Sequence, residues 1–169
     1  MGTTSSLEGK VQNLKDKEFK GPQNANPIAN FYYSSIPVFQ KNNVKNAYLE
    51  TGEGFWGTSP KNDSFILVSF KKLENIKSIK VLSNISHPKD KLSPDTTLDV
   101  SQNLVKNLED LASANFRKVG EADANGTISV NEENAVSTVR INFQERSRWI
   151  FIDKILIDLQ DPLTTKTVL

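Results

Sequence analysis

Thr138-Val139-Arg140-Ile141-Asn142-Phe143 alternates polar and apolar residues without interruption. Successive side chains of a strand point to opposite faces, so Val139, Ile141 and Phe143 share a buried face and Thr138, Arg140 and Asn142 a wetter one. Ile79 and Val81 alternate in the same way with Ser78 and Lys80. Phe65-Ile66-Leu67-Val68 is instead continuously apolar between Asn62-Asp63-Ser64 and Lys71-Lys72, the pattern of a central strand covered on both sides. Trp149-Ile150-Phe151-Ile152 and Ile155-Leu156-Ile157 form one long β-rich segment that stops before Asp161-Pro162.

Further strands are read near Tyr32 to Val38, Ala47 to Glu50, Thr96 to Val100, Phe116 to Val119 and Ile128 to Val130. About nine strands with turns every 8 to 12 residues predict an all-β sandwich or jelly roll, not alternating β-α units. Leu104, Leu108 and Leu111 repeat at helical spacing, so a helix of one or two turns, or a loop, plugs one end. No internal repeat suggests a solenoid or propeller.

The first twenty residues differ. Ser5 and Glu8 have capping-box spacing, and Leu7, Val11 and Leu14 make a narrow apolar stripe, so a short amphipathic helix is expected there. Residues 21–27, with Pro22 and Pro27, read as a linker, 28–162 as the sandwich, and 163–169 as a frayed tail.

Composition narrows the function. The chain has 169 residues, 37% hydrophobic and 24% charged, enough apolar material for one core. With 21 Lys and Arg against 20 Asp and Glu, the net charge is +1, and no global field draws in nucleic acid or an anionic bilayer. The absence of cysteine removes disulfides and thiolate chemistry, and a single histidine, His87, removes any metal centre needing two imidazoles. No stretch approaches the roughly 18 apolar residues of a membrane span and the start lacks a signal peptide's apolar segment, so the chain reads as soluble. Three sequons, at Asn62, Asn84 and Asn125, are about what this composition yields by chance.

The loop Ser83-Asn84-Ile85-Ser86-His87-Pro88-Lys89-Asp90-Lys91 concentrates polar atoms between two strands. Pro88 fixes its own φ and biases His87 toward extended backbone, so the loop can hold an imidazole and a carboxylate in a set relation. Trp56 and Trp149 can each offer a flat face to a sugar ring, although tryptophans beside strands more often pack against the core. Arg146-Ser147-Arg148 can bind an anion or donate to hydroxyls, but such a pair is more often solvated surface. Asp90, Asp95 and Asp99 share one region without any pair standing out for glycoside hydrolysis. Gly52-Glu53-Gly54-Phe55-Trp56-Gly57 reads as a tight turn into an aromatic strand, because no helix follows it as a phosphate-binding loop requires.

Four segments in order carry a family resemblance: residues 5–17, Gly52-Glu53-Gly54-Phe55-Trp56, His87-Pro88-Lys89-Asp90, and Val139-Arg140-Ile141 with Trp149 to Ile157. The chain resembles the C-terminal region of the alpha-mannoside beta-N-acetylglucosaminyltransferase IV family, Golgi enzymes that add the beta-1,4 branch to N-glycan cores. The resemblance implies that residues 1–20 are the tail of the catalytic domain. It also implies that 28–162 form a lectin domain similar to galactose-binding-like carbohydrate modules. Such a domain binds N-glycans with terminal N-acetylglucosamine and tunes the attached enzyme in the Golgi lumen. The family's ligand carboxylate carries over to Asp90, with His87 beside it; Lys89 stands where the family often has glycine. Asn84 and Trp56 complete the candidate carbohydrate site. No cofactor is expected here, since UDP-N-acetylglucosamine and a divalent metal belong to the absent catalytic half. The implied partners are N-glycans and that catalytic domain, with no nucleic acid and no direct membrane contact. A sandwich that binds a protein partner, and a glycosidase with two unrecognised carboxylates, are the competing readings.

Overall fold

The computed structural model describes residues 29–34, 54–57, 60–62, 64–132 and 134–160. The helix expected at the start, the linker, the strand at 47–50 and the tail lie outside these residues. Among the described residues the strands are β1 (Ala29–Ser34), β2 (Phe55–Gly57), β3 (Ser64–Leu82), β4 (Thr97–Ser101), β5 (Arg117–Glu121), β6 (Ile128–Val130), β7 (Ala135–Phe143), β8 (Ile150–Ile152) and β9 (Lys154–Leu159).

The alternation quoted first becomes β7, and its register shows why that stretch governs the fold. Ile66, Ile141 and Leu98 lie opposite one another across β3, β7 and β4, and Val68, Val139 and Val100 form the next row. All six are buried in one core. The reverse face carries Leu67, Arg140 and Asp99 in register. There Arg140 donates to Asp99 at 2.7 Å and lies over the Phe116 ring at 3.8 Å.

The 65–68 run is a central strand covered on both faces. Ile66 and Val68 belong to the main core, while Phe65 and Leu67 pack with Val105 and Leu111 in a second cluster. Leu111 comes from α1 (Leu108–Ser113), whose Asn107 caps it by accepting from the Asp110 N–H at 2.8 Å. The helix is shorter than the leucine spacing suggested: Leu104 precedes it and is 42% exposed.

Two expectations about strand limits are corrected. The runs around 65–68 and 79–81 belong to one 19-residue strand, β3. Its first half pairs with β1 and β7, its second with β9 and β6, and the register with β7 shifts between Ser69 and Glu74. Lys71, Lys72 and Leu73 are exposed at that shift. A bulge of this kind lets one strand turn from one sheet into another around a shared core. The final β-rich segment, conversely, is two strands: β8 pairs with β2, β9 pairs with β3, and Asp153 stands between them. All strand pairs are antiparallel.

Gly54 enters β2 at φ +92°, and a Cβ there would collide with the Phe151 ring and lie 2.9 Å from the Ile152 carbonyl. The glycine-rich stretch is thus a tight entry into an aromatic strand.

Candidate functional site

The Ser83–Lys91 loop follows the end of β3, where Leu82 pairs with Lys154 of β9, and runs toward the start of β4, where Arg146, just past the end of β7, reaches Lys91. Ser83 is fully buried and acts as its hinge. Its hydroxyl donates to the Gly126 carbonyl and accepts the Leu92 N–H, both at 2.8 Å. Gly126 (φ +81°) fits because a Cβ would sit 2.8 Å from both Ser83 Oγ and Lys91 Cβ.

Asp153 supplies the second support. Its carboxylate, 6% exposed, accepts from the Ile85 N–H at 3.1 Å and the Ser86 N–H at 2.9 Å. Its own N–H donates to the Leu82 carbonyl at 2.7 Å. A buried carboxylate is tolerable only with such partners. Beyond it, Pro88–Asp90 form one 3-10 turn capped by His87, closed by Asp90 N–H donating to the His87 carbonyl at 3.0 Å. Proline at the first position suits the turn because no N–H is needed there. The exposed His87 ring meets Phe151 edge to face, centroids 4.5 Å apart.

Arg146 and Arg148 grip the same loop from the other side; the reading of this pair as solvated surface holds for exposed Arg148 and is corrected for half-buried Arg146. Arg146 is half-buried and donates to the Lys91 carbonyl at 2.9 Å and the Trp149 carbonyl at 2.7 Å. Arg148 donates to the Lys89 carbonyl at 2.6 Å. Burial, then the charge of Arg148, lower the Arg146 pKa, against the opposing charges of Asp90 and Asp95. The segment bearing both arginines is tied in turn to 60–62: Arg146 N–H donates to the Pro60 carbonyl and Glu145 N–H to Asn62 Oδ1.

Between these loops lies a groove of about 430 Å³ whose charged lining is Lys89, Lys91, Asp95, Arg146 and Arg148; the expected site residues Asp90, His87 and Asn84 stand beside it rather than in its lining. Asp90 is half-buried and lies in sequence between the two lining lysines, and the arginines donate to main-chain carbonyls while Arg146 Nε is buried without a partner. His87 and Asp90 are joined by one turn, and half-buried Asn84 lies on the same loop. Trp56 is paired in register with Phe151, the residue that touches His87; its side chain lies outside the described set. Trp149, 39% exposed, ends at the rim next to the arginines. The three aspartates do not form one constellation. Asp99 is occupied by Arg140 and Asn142 on the sheet face, and Asp95 accepts from Ser93 Oγ in a turn at 2.6 Å. Among the described residues no cluster of three metal-binding side chains occurs.

The supporting roles of Ser83, Asp153, Arg146 and Arg148 escaped the sequence reading, which named Ser83 only as a loop residue and the arginines as anion or hydroxyl binders or solvated surface. Asp153 leaves a trace as a lone acid inside an apolar β run.

The family model described as the MGAT4 C-terminal domain matches residues 31–154. Two curated relatives are alpha-1,3-mannosyl-glycoprotein 4-beta-N-acetylglucosaminyltransferases. Form C of Mus musculus is 30% identical over 79% of this chain and 28% of its own length. Form A of Xenopus tropicalis is 30% identical over 93% of this chain and 32% of its own. The chain therefore spans less than a third of either. Among solved structures, the CBM32-1 and CBM32-2 domains of Clostridium perfringens ZmpB superpose with TM-score 0.58 at 13% identity, covering 95% of this chain and 41% of that one. A Streptococcus pneumoniae fucose binding module superposes with TM-score 0.51 at 12% identity, covering 74% and 87%. At such identities the likeness speaks for the fold: a galactose-binding-like β-sandwich of the carbohydrate-binding-module type.

Proposed function

This chain belongs to the MGAT4 C-terminal domain family, and from that membership we propose that residues 28–162 are a non-catalytic lectin domain for N-glycans with terminal N-acetylglucosamine. The observation that supports this reading is the groove next to the His87–Asp90 turn: Arg146 and Arg148 clamp the loop by donating to main-chain carbonyls, so Asp90 meets Arg146 through charge and not through a hydrogen bond. A pyranose presents neighbouring hydroxyls about 2.8 Å apart, and an ionised carboxylate accepts from two of them at once. His87 donates to a third sugar oxygen or holds the carboxylate, Asn84 adds an amide, and Trp56 covers the apolar face of the ring or the acetamido methyl.

Hydrogen bonds to a charged group contribute about 1.5 to 3 kcal/mol each, much of it offset by stripping water from both partners. One shallow site then gives about −4 to −6 kcal/mol, a Kd from about millimolar to tens of micromolar. Tethering makes such weakness useful. An enzyme joined to this domain meets the held glycan at an effective concentration of about millimolar, so one arm is retained while another is processed.

The parent protein, in this reading, is a Golgi beta-1,4-N-acetylglucosaminyltransferase whose separate catalytic domain, preceding residue 20, uses UDP-N-acetylglucosamine and a divalent metal. The test is calorimetric titration of the 169-residue chain with an N-acetylglucosamine-terminated biantennary N-glycan. Saturable heat that Asp90→Ala abolishes supports the assignment; equal binding by that variant removes Asp90 from the site.

A further inference from the structure

A second cleft, of about 410 Å³, lies at the other end of the five-stranded sheet, at the end of β4 and the starts of β5 and β7. β7 runs from this cleft to the loop of the Asp90 groove, so at the rise of a strand the two sites stand about 25 Å apart. Its volume is within the range of small-ligand sites, about 300 to 1,000 Å³. We infer that this cleft is a separate saccharide-binding site, built from amides where the groove beside Asp90 is lined by charged side chains.

The cleft carries side-chain amides of Gln102, Asn115 and Asn134 and the guanidinium of Arg117, with Val100 and Val136 as apolar lining. Two of these polar groups are oriented by one buried carboxylate. Glu132, 4% exposed, accepts from Arg117 at 2.9 Å and from Asn134 Nδ2 at 2.8 Å. Asn115 is set by its own N–H, which donates to Asn103 Oδ1 at 2.8 Å, and Asn103 is fixed to Ser101. The supporting contacts thus engage the backbone of Asn115 and one edge of Arg117 and of Asn134, while Gln102, Asn115 and Asn134 are exposed.

The chemistry selects the ligand. The charges of Arg117 and Glu132 cancel within their pair, and among the described residues no other charged side chain lines the cleft to recognise a phosphate or carboxylate. An amide offers a donor and an acceptor in one plane, and a sugar hydroxyl both donates and accepts. Three amides, one guanidinium edge and an apolar patch for the C–H face of a pyranose therefore match a neutral, polyhydroxylated ring. A peptide main chain is the nearest competitor.

The experiment is a 1H–15N correlation titration of the 169-residue chain with the biantennary N-glycan used above and, separately, with N-acetyl-triglycine amide. The side-chain NH2 signals of Gln102, Asn115 and Asn134 report the cleft directly. The oligosaccharide should shift these signals saturably, together with backbone signals of 100–103 and 134–136. The double variant Gln102→Ala, Asn115→Ala, both at exposed positions, should weaken the effect about tenfold or more. Asp90→Ala should leave it intact, which separates failure of this site from failure of the groove. The inference is overturned by cleft signals that stay still while sugar shifts the groove or shifts nothing. It is equally overturned by unchanged shifts in the double variant, or by a cleft that responds only to the peptide.

Discussion

Replacing Asp153 by alanine tests whether one buried carboxylate positions the candidate groove. Its two bonds to the Ile85 and Ser86 amides are charge-assisted, and at up to about 3 kcal/mol each they set an upper limit of about 6 kcal/mol. Two features of the loop lower that figure. Ile85 is 66% exposed and Ser86 is exposed, so the released amides regain water. The N–H of residue 153, which donates to the Leu82 carbonyl, survives the substitution. A loss of about 2 to 3 kcal/mol is expected, a fall in Tm of about 5 to 10 °C for a chain of this length. Urea denaturation gives the first figure, and native-state hydrogen exchange gives the location. The amides of 85 and 86 should lose protection at denaturant concentrations where the β3–β7 ladder keeps its own. Glycan affinity should fall about tenfold, because the loop must then be ordered on binding. A loss below about 0.5 kcal/mol with protected amides at 85 and 86 would refute the role given to Asp153.

Asp90→Ala should leave Tm within about 1 °C, since the half-buried carboxylate supports no other element, while glycan heats vanish. Gly126→Ala meets both a left-handed backbone and Ser83 Oγ at 2.8 Å; it should cost about 1 to 3 kcal/mol by urea denaturation and weaken glycan binding with it. For Glu132, burial pushes the pKa up, but hydrogen bonds from Arg117 and Asn134 and the Arg117 charge outweigh it, holding the carboxyl below its ordinary value. The carboxyl's contribution is therefore complete above the unfolded pKa of about 4.3 and is lost as pH falls through the lower folded value. Glu132→Gln should flatten the dependence of the urea midpoint on pH below about pH 4.5.

The sheet was legible wherever burial has a period. β7 and the second half of β3 appear in the sequence as alternations whose buried faces the structure bears out, and the 65–68 run gives away its two-sided cover because both of its faces are apolar. β3 as a single strand was not legible. Lys71, Lys72 and Leu73 lose burial at the register shift while the strand continues, and polarity marks exposure rather than backbone pairing. The His87–Asp90 loop could be picked out because its residues are neighbours in the chain. The groups that shape it could not: Arg146, Arg148 and Asp153 reach it across 55, 59 and 67 to 68 positions. They also act on carbonyls and amides that every residue possesses, so no side-chain pattern announces the contact.

That main-chain mode of support bears on Lys89, which stands where the family resemblance leads one to expect glycine. A glycine is indispensable only where the backbone enters the left-handed region or a Cβ has no room. Among the described glycines positive φ occurs at Gly54 and Gly126, and Lys89 lies inside a 3-10 turn and is exposed. Arg148 holds the Lys89 carbonyl, a contact indifferent to what stands on the Cα. The loop therefore keeps its shape with lysine in place, and the substitution acts on the groove it lines by adding a cation beside Asp90. Lys89→Gly should leave the melting temperature within about 4 °C, a loop Gly costing at most about 1 kcal/mol through unfolded-chain entropy. Its effect should fall on the salt dependence of glycan binding, since an exposed cation near a ligand-holding carboxylate is screened by salt. A collapse in stability instead would mean that the lysine stem, rather than the Arg148 clamp, holds the turn.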